Sequence, residues 1–138
     1  MGVNLLTMFE INFILQTIIL AIVLLSMMFR MKGKHLFHLI TMVVAVISGL
    51  VVFILASSLF SDSTYMETLM NPTLNMASFI LHAILGFASF VSGIILVVIL
   101  FRDGAIPGHS NMIAKIVTIL WMLTYIVGAL FFVILHVI

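Results

Sequence analysis

Four long stretches without charged side chains constrain the fold of this 138-residue chain more than any other feature. The first lies between Glu10 and Arg30 and holds nineteen uncharged residues. As a helix it extends about 28 Å, the thickness of a hydrocarbon core. A helix can cross a membrane because its backbone hydrogen bonds are made internally. We therefore predict four transmembrane helices, at about residues 11–29, 36–60, 73–101 and 111–138.

The composition excludes most classes of water-soluble protein. Only 7% of the residues are charged and 65% are hydrophobic, whereas soluble domains have about 25% charged residues. A net charge of +1 is too small to neutralise a run of phosphates, so we expect no nucleic-acid binding. The absence of cysteine excludes disulfides and thiolate metal sites. We predict one all-α domain over residues 1–138, an integral membrane four-helix bundle of up-down-up-down order.

The basic residues predict the orientation of this bundle. All of them fall in the two connections on one side, at Arg30, Lys32, Lys34, Arg102 and Lys115. That side is expected to be cytoplasmic, because cytoplasmic connections carry an excess of Lys and Arg. Both termini and the 61–71 loop are then outside, while 30–35 and 102–110 are inside. We identify no removable signal peptide and expect a multi-pass protein of a prokaryotic cell membrane.

The five histidines are the main candidates for a functional site, because ionisable groups inside a membrane are commonly functional. His38 begins the second predicted span, His82 lies within the third, His109 precedes the fourth and His136 almost ends it. His35 lies in the basic connection, where we expect it to be solvated.

Small residues line the helix faces below two of these histidines. On the third span His82 shares a stripe with Gly86, Ser89 and Gly93, because residues three or four apart lie on one helix face. His38 shares a similar stripe with Met42, Ala45, Gly49 and Ala56, and Thr118, Tyr125, Phe132 and His136 share a face of the fourth span. Two interpretations remain open. The stripes let helices approach closely, with histidine bonding across the bundle, or they accommodate a porphyrin with imidazoles as axial iron ligands.

The depth of each histidine indicates which ones can pair as ligands. His38 and His109 both lie at inner helix ends, which favours an inner site, and His35 could replace either. If the inner site binds haem, the partners of the haem propionates would be Lys34, Arg102 and Lys115. An outer site would pair His82 with His136. The depths of these two residues in the membrane would differ by about 9 Å if the helices were straight. We therefore predict one or two haem b groups, with no catalytic side chain assigned.

Other ligands fit parts of the sequence. Met66, Met70 and Met76 with His82 suggest Cu(I), although methionine commonly fills irregular apolar gaps. Trp121 and Tyr125 are suitable for a quinone site, but aromatic packing is the favoured interpretation. We find no hydrolase or phosphate-binding motif, so any enzymatic chemistry would be redox chemistry.

From His38 to the C-terminus, the chain resembles the YozB/CtaM-like family of small four-helix membrane proteins. The segments that carry the resemblance are His38-Leu-Ile-Thr-Met42, His82-Ala-Ile-Leu-Gly86, Gly108-His109 and Trp121-Met-Leu-Thr-Tyr125-Ile-Val-Gly128. Where that family tends to have an outer histidine in the second span, this chain has Ser57 and Ser58. The resemblance implies a link to maturation of haem-copper terminal oxidases. The histidine-rich four-helix arrangement is also similar to that of diheme b-type membrane cytochromes.

Our first functional expectation is a b-type haem protein that transfers electrons in a respiratory chain, as a subunit or partner of a larger membrane redox complex. The leading alternative is a cofactor-free assembly factor or packing subunit of a haem-copper oxidase, in which the histidines hydrogen-bond between helices. A copper-handling protein that uses Met and His is a third interpretation.

Overall fold

The computed structural model describes residues 5–59, 73–103 and 109–137, and side chains within 10–57, 76–102 and 112–133. Over these residues the chain forms four helices: α1 at Leu5–Met31, α2 at His35–Leu59, α3 at Thr73–Asp103 and α4 at His109–Val137. Each contains a segment of at least 22 residues that is long and apolar enough to cross a membrane. The prediction of a multi-pass, integral membrane four-helix bundle is confirmed.

Two helix starts differ from the sequence prediction. The first helix begins at Leu5 and not near Ile11, because a single exposed Glu10 does not interrupt an otherwise apolar helix. The fourth begins at His109, so this histidine is the first residue of the helix and does not precede it. The predicted outer loop at 61–71 lies outside the described residues.

A tight turn around Gly33 joins α1 to α2. Its φ of 71° lies in the left-handed region that glycine adopts without steric cost. The amide of Gly33 donates to the Arg30 carbonyl at 3.0 Å, and that of Lys34 donates to the Phe29 carbonyl at 2.9 Å. These bonds satisfy carbonyl groups at the end of α1, and the chain then returns antiparallel to α1.

The four helices form a ring. α1 packs against α2 and α4, and α3 packs against the same two helices. α1 and α3 are therefore diagonal to each other, as are α2 and α4. We call the half of the bundle that contains the α1–α2 turn the inner half, and the half that contains the start of α1 the outer half.

The inner half is closely packed. Its buried cluster consists of Met42, Leu96, Leu100, Ala114 and Val117, from α2, α3 and α4. A second cluster joins α1 to α2 through Ile19, Val23 and Ala45, and Trp121 of α4 packs against both clusters. The outer half differs, because the four helices enclose a cavity there.

Candidate functional site

The candidate site is a cavity of about 300 Å³ between the outer halves of all four helices. This volume lies at the lower end of the range for small-molecule sites, about 300–1,000 Å³. Most of the lining is aliphatic or aromatic, and its polar side chains are Asn12, Gln16, His82, Ser89, Trp121, Thr124 and Tyr125. No charged side chain of the described residues lines it.

His82 is held in one tautomer by α4. Its Nδ1 lies 3.0 Å from the backbone carbonyl oxygen of Thr124. Because a carbonyl can only accept, Nδ1 carries the proton in the neutral imidazole and Nε2 is an acceptor. The amide Nε2 of Gln16 lies 3.4 Å from His82 Nε2, which is long for a hydrogen bond. Nε2 of His82 is therefore available to a stronger donor in the cavity.

The absence of a side chain at Gly128 makes room for this imidazole. A Cβ at position 128 would lie 2.8 Å from Cε1 of His82 and 3.1 Å from Oε1 of Gln16. Both distances are shorter than ordinary van der Waals contacts. Helices α1, α3 and α4 thus meet closely at one level through Gln16, His82 and Gly128.

Asn12, whose side chain also lines the cavity, carries an unpaired polar atom. Its Oδ1 is buried and has no hydrogen-bond partner among the described residues. A buried acceptor without a partner costs about 1–3 kcal/mol, so a ligand that donates a hydrogen bond here would recover this energy. Asn12 is one helical turn from Gln16, and both side chains face the bundle.

Trp121 forms the inner end of the cavity. Its indole nitrogen donates to the carbonyl oxygen of Ser89 at 3.2 Å, and the ring passes so close to Gly49 that a Cβ there would lie 3.0 Å from Cη2. The hydroxyl groups of Ser89 and Thr124 lie 2.8 Å apart. These contacts separate the cavity from the packed inner half.

Aromatic stacking closes the side of the cavity between α1 and α4. The ring of Phe13 stacks on Phe132 with centroids 4.6 Å apart and on Tyr125 with centroids 5.6 Å apart. The Tyr125 hydroxyl lies 3.0 Å from the hydroxyl of Thr17. Trp121 and Tyr125 therefore both line the cavity. From the sequence they were suitable for a quinone site, with aromatic packing as the favoured interpretation.

His38 lies in a separate environment in the inner half. Both His38 and Ser26 are 0% exposed. Nδ1 of His38 lies 3.0 Å from the Ser26 carbonyl oxygen and 2.7 Å from its hydroxyl, which itself donates to the His38 carbonyl at 3.0 Å. Nε2 lies 3.5 Å from Nη1 of Arg30. His38 thus joins α2 to α1, and it does not belong to the cavity lining.

The predicted ligand pairs each include a residue whose side chain lies outside the described residues. His109 begins α4 and His136 nearly ends it, so the pairs His38–His109 and His82–His136 stay predictions. His136 is eight residues beyond Gly128, or about 12 Å along α4, while His82 lies at the level of Gly128.

The predicted propionate partners Lys34, Arg102 and Lys115 are exposed, and none of them lines the cavity. His35 is exposed, as expected for a solvated residue. Within the described ranges there is no group of three or more His, Asp or Glu side chains that could hold a metal ion. Met66 and Met70 of the copper interpretation lie outside those ranges.

The fold and this site define a multi-pass membrane bundle with an internal, mostly apolar cavity. No family model matches the chain, and no curated protein or solved structure matches it significantly. The resemblance to the YozB/CtaM-like family thus stays a prediction.

Proposed function

We propose that this protein binds the ring of a membrane quinone, in its reduced hydroquinone form, within the outer cavity. It would thereby take part in respiratory electron transfer as a partner of a larger membrane redox complex. One observation carries the proposal: the unprotonated Nε2 of His82 belongs to an aromatic, uncharged cavity inside a membrane bundle.

The lining matches the chemistry of a hydroquinone. This ligand is a neutral ring with two hydroxyl donors, and the acceptors on the side chains that line the cavity include Nε2 of His82 and Oδ1 of Asn12. The aromatic side chains around it offer faces and edges on which a flat ring can stack. Because no charged side chain of the described residues lines the cavity, a neutral ligand is favoured over an ionic one.

The same contacts suggest how the ring would be used. A hydroquinone loses two electrons and two protons when it is oxidised. Nε2 of His82 would accept the proton of the hydroxyl that it binds, and the partner complex would accept the second proton. A haem or copper centre in a partner subunit would take the electrons.

Haem b, the first expectation from the sequence, is the second candidate. The observation in its favour is that His38 and His82 each place Nδ1 against a backbone carbonyl, the usual orientation of a metal-ligating histidine. The remaining features fit haem less well. Its propionates need cationic partners, which the described cavity lining does not supply, and His38 lies next to a closely packed core.

The test is binding of a radiolabelled, tailless hydroquinone to the purified protein in phospholipid nanodiscs without oxygen. We expect saturable binding, a loss of at least about tenfold in affinity for His82→Leu, and no change for the exposed control His35→Leu. Binding that is not saturable, or equal in both variants, would contradict the proposal.

A reduced-minus-oxidised absorption spectrum of the same sample tests the second candidate. A haem signal that is lost in His82→Leu or His38→Ala would replace the quinone proposal with haem ligation. A protein with neither haem nor hydroquinone binding would instead support the cofactor-free assembly subunit.

A further inference from the structure

The exposed part of the cavity lining is confined to one side of the bundle. Leu50 and Phe53 of α2 are 43% and 58% exposed, and Phe87 of α3 is 63% exposed. Ala83 of α3 is also exposed. The lining residues that α1 and α4 contribute are all buried or half-buried. The cavity therefore opens between α2 and α3, at a rim formed by Leu50, Phe53, Ala83 and Phe87.

Side-chain contacts between the described residues join the helices on the other three sides. The stack of Phe13 and Tyr125 closes the side between α1 and α4. Phe79 lies against Phe131 between α3 and α4, with ring centroids 6.3 Å apart. Between α1 and α2, Ile19 belongs to the buried cluster that includes Ala45.

The opening faces lipid and not water. All four rim residues lie within the predicted membrane segments of α2 and α3, His35–Ser57 and Met76–Arg102. Ala83 is ten residues from the start of α3, or about 15 Å along it, half the thickness of a hydrocarbon core. A molecule that uses this opening comes from the bilayer interior, so it must dissolve in lipid.

The two ends of the cavity differ in polarity. Asn12 and Gln16 lie on α1, and His82 is bonded to α4, so the polar groups are directed away from the rim. The rim itself is aliphatic and aromatic. A ligand with a polar ring and an apolar tail therefore has a single favourable orientation, with its ring inside and its tail toward lipid.

From these observations we infer that the ligand is an isoprenoid-tailed quinone, which enters sideways between α2 and α3 and leaves its tail in that opening. The inference rests on the proposed function and adds the ligand class and its route. A cavity of about 300 Å³ is large enough for a ring but not for a long isoprenoid chain, so the tail must lie outside it.

The experiment compares two radiolabelled hydroquinones with the same ring, one with an isoprenoid tail and one without. Both are titrated into the full-length protein in phospholipid nanodiscs. Ala83→Phe places a large ring in the opening. We expect this variant to weaken binding of the tailed ligand at least about tenfold more than it weakens binding of the tailless one. Ala21→Phe is the matched control, because Ala21 is exposed on α1 and lies outside the lining, and we expect no change with either ligand.

A second variant tests the same route even if the protein does not fold with a phenylalanine at position 83. Phe87→Ala widens the opening, and we expect the dissociation rate of the tailed ligand to rise at least about threefold. Unchanged binding of the tailed ligand by Ala83→Phe, or an unchanged rate in Phe87→Ala, would overturn the lateral route. The two proposals fail separately, because absence of tailless binding to the unmodified protein contradicts the proposed function itself.

Discussion

Nδ1 of His82 and the carbonyl oxygen of Thr124 lie 3.0 Å apart, which joins the middle of α3 to α4. This single contact has a structural and a functional consequence. It satisfies one polar atom of an imidazole inside a membrane, and it leaves the other ring nitrogen as an acceptor on the cavity side. The two consequences can be separated by mutation.

His82→Asn tests this separation. The asparagine amide can still donate to the Thr124 carbonyl, but it has no atom at the position of Nε2. We expect the stability of the bundle to change by less than about 1 kcal/mol, since one hydrogen bond is retained. Hydroquinone affinity should fall about tenfold, the effect of one lost hydrogen bond. Unfolding in dodecyl sulfate and ligand titration measure the two quantities, and a variant that binds as tightly as the parent would contradict the role of Nε2.

Asn12→Leu should change stability and binding in opposite directions. Because Oδ1 of Asn12 is buried without a partner, its removal should stabilise the ligand-free protein by about 1 kcal/mol. The variant should also bind hydroquinone more weakly, because the ligand loses an acceptor. Ile11→Leu at the neighbouring exposed position is the control, for which neither quantity should change. Destabilisation by Asn12→Leu would show that the amide has a structural partner.

The sequence predicts the helices better than it predicts the site. Four uncharged stretches are sufficient to predict four spans, because the bilayer sets their length. The cavity could not be predicted, since its volume depends on how side chains from four helices meet. The contact of Gly128 with His82 is an example. Gly128 belongs to a segment that resembles the YozB/CtaM-like family, but nothing in the sequence indicated that this position faces an imidazole of α3.

The partner of His38 had a sequence signal that was missed. Ser26 and His38 are each six residues from Lys32, and a tight turn there brings such positions to the same level in antiparallel helices. The sequence pattern suggested histidine pairs as metal ligands and hydrogen bonds from histidine across the bundle, but it named no partner for His38. A buried serine hydroxyl is an equally suitable partner, because it can accept from Nδ1 while it donates to a backbone carbonyl.

Gly128→Ala should destabilise the bundle and weaken ligand binding. The added methyl group would lie 2.8 Å from Cε1 of His82, so the imidazole must move. Overpacking of this kind costs about 1–3 kcal/mol. Gly86→Ala is the matched control, because its methyl group would lie 3.6 Å from Cγ2 of Thr124, an ordinary contact. Equal stability of the two variants, measured by unfolding in dodecyl sulfate, would contradict the close approach at Gly128.

Cysteine labelling tests the orientation. Because all Lys and Arg residues lie at the inner half or in its connections, we expect that half to face the cytoplasm. The chain has no native cysteine, so Ser63→Cys and Ser110→Cys each introduce a single thiol. A membrane-impermeant reagent applied to intact cells should label position 63 and not position 110. The reverse labelling pattern would show that the protein has the opposite orientation in the membrane.

Ser26→Ala tests whether His38 has a structural role that is independent of the cavity. The substitution removes a buried hydroxyl that contacts both the ring and the backbone of His38. We expect a loss of about 1–3 kcal/mol in stability, because a buried polar group loses a partner. Ser57→Ala is the control, because among the described residues its exposed hydroxyl bonds to carbonyls of its own helix, and its loss should cost less than about 0.5 kcal/mol.

Hydroquinone binding separates this structural role from a ligand role. Ser26→Ala leaves every cavity-lining residue unchanged, so the affinity for a tailless hydroquinone should stay within about twofold of the parent in folded protein. A large loss of affinity in a variant that remains folded would connect the inner half to the ligand. In that case His38 would act on the site as well as on the packing of α1 against α2, and the inner histidine would again be a candidate for cofactor binding.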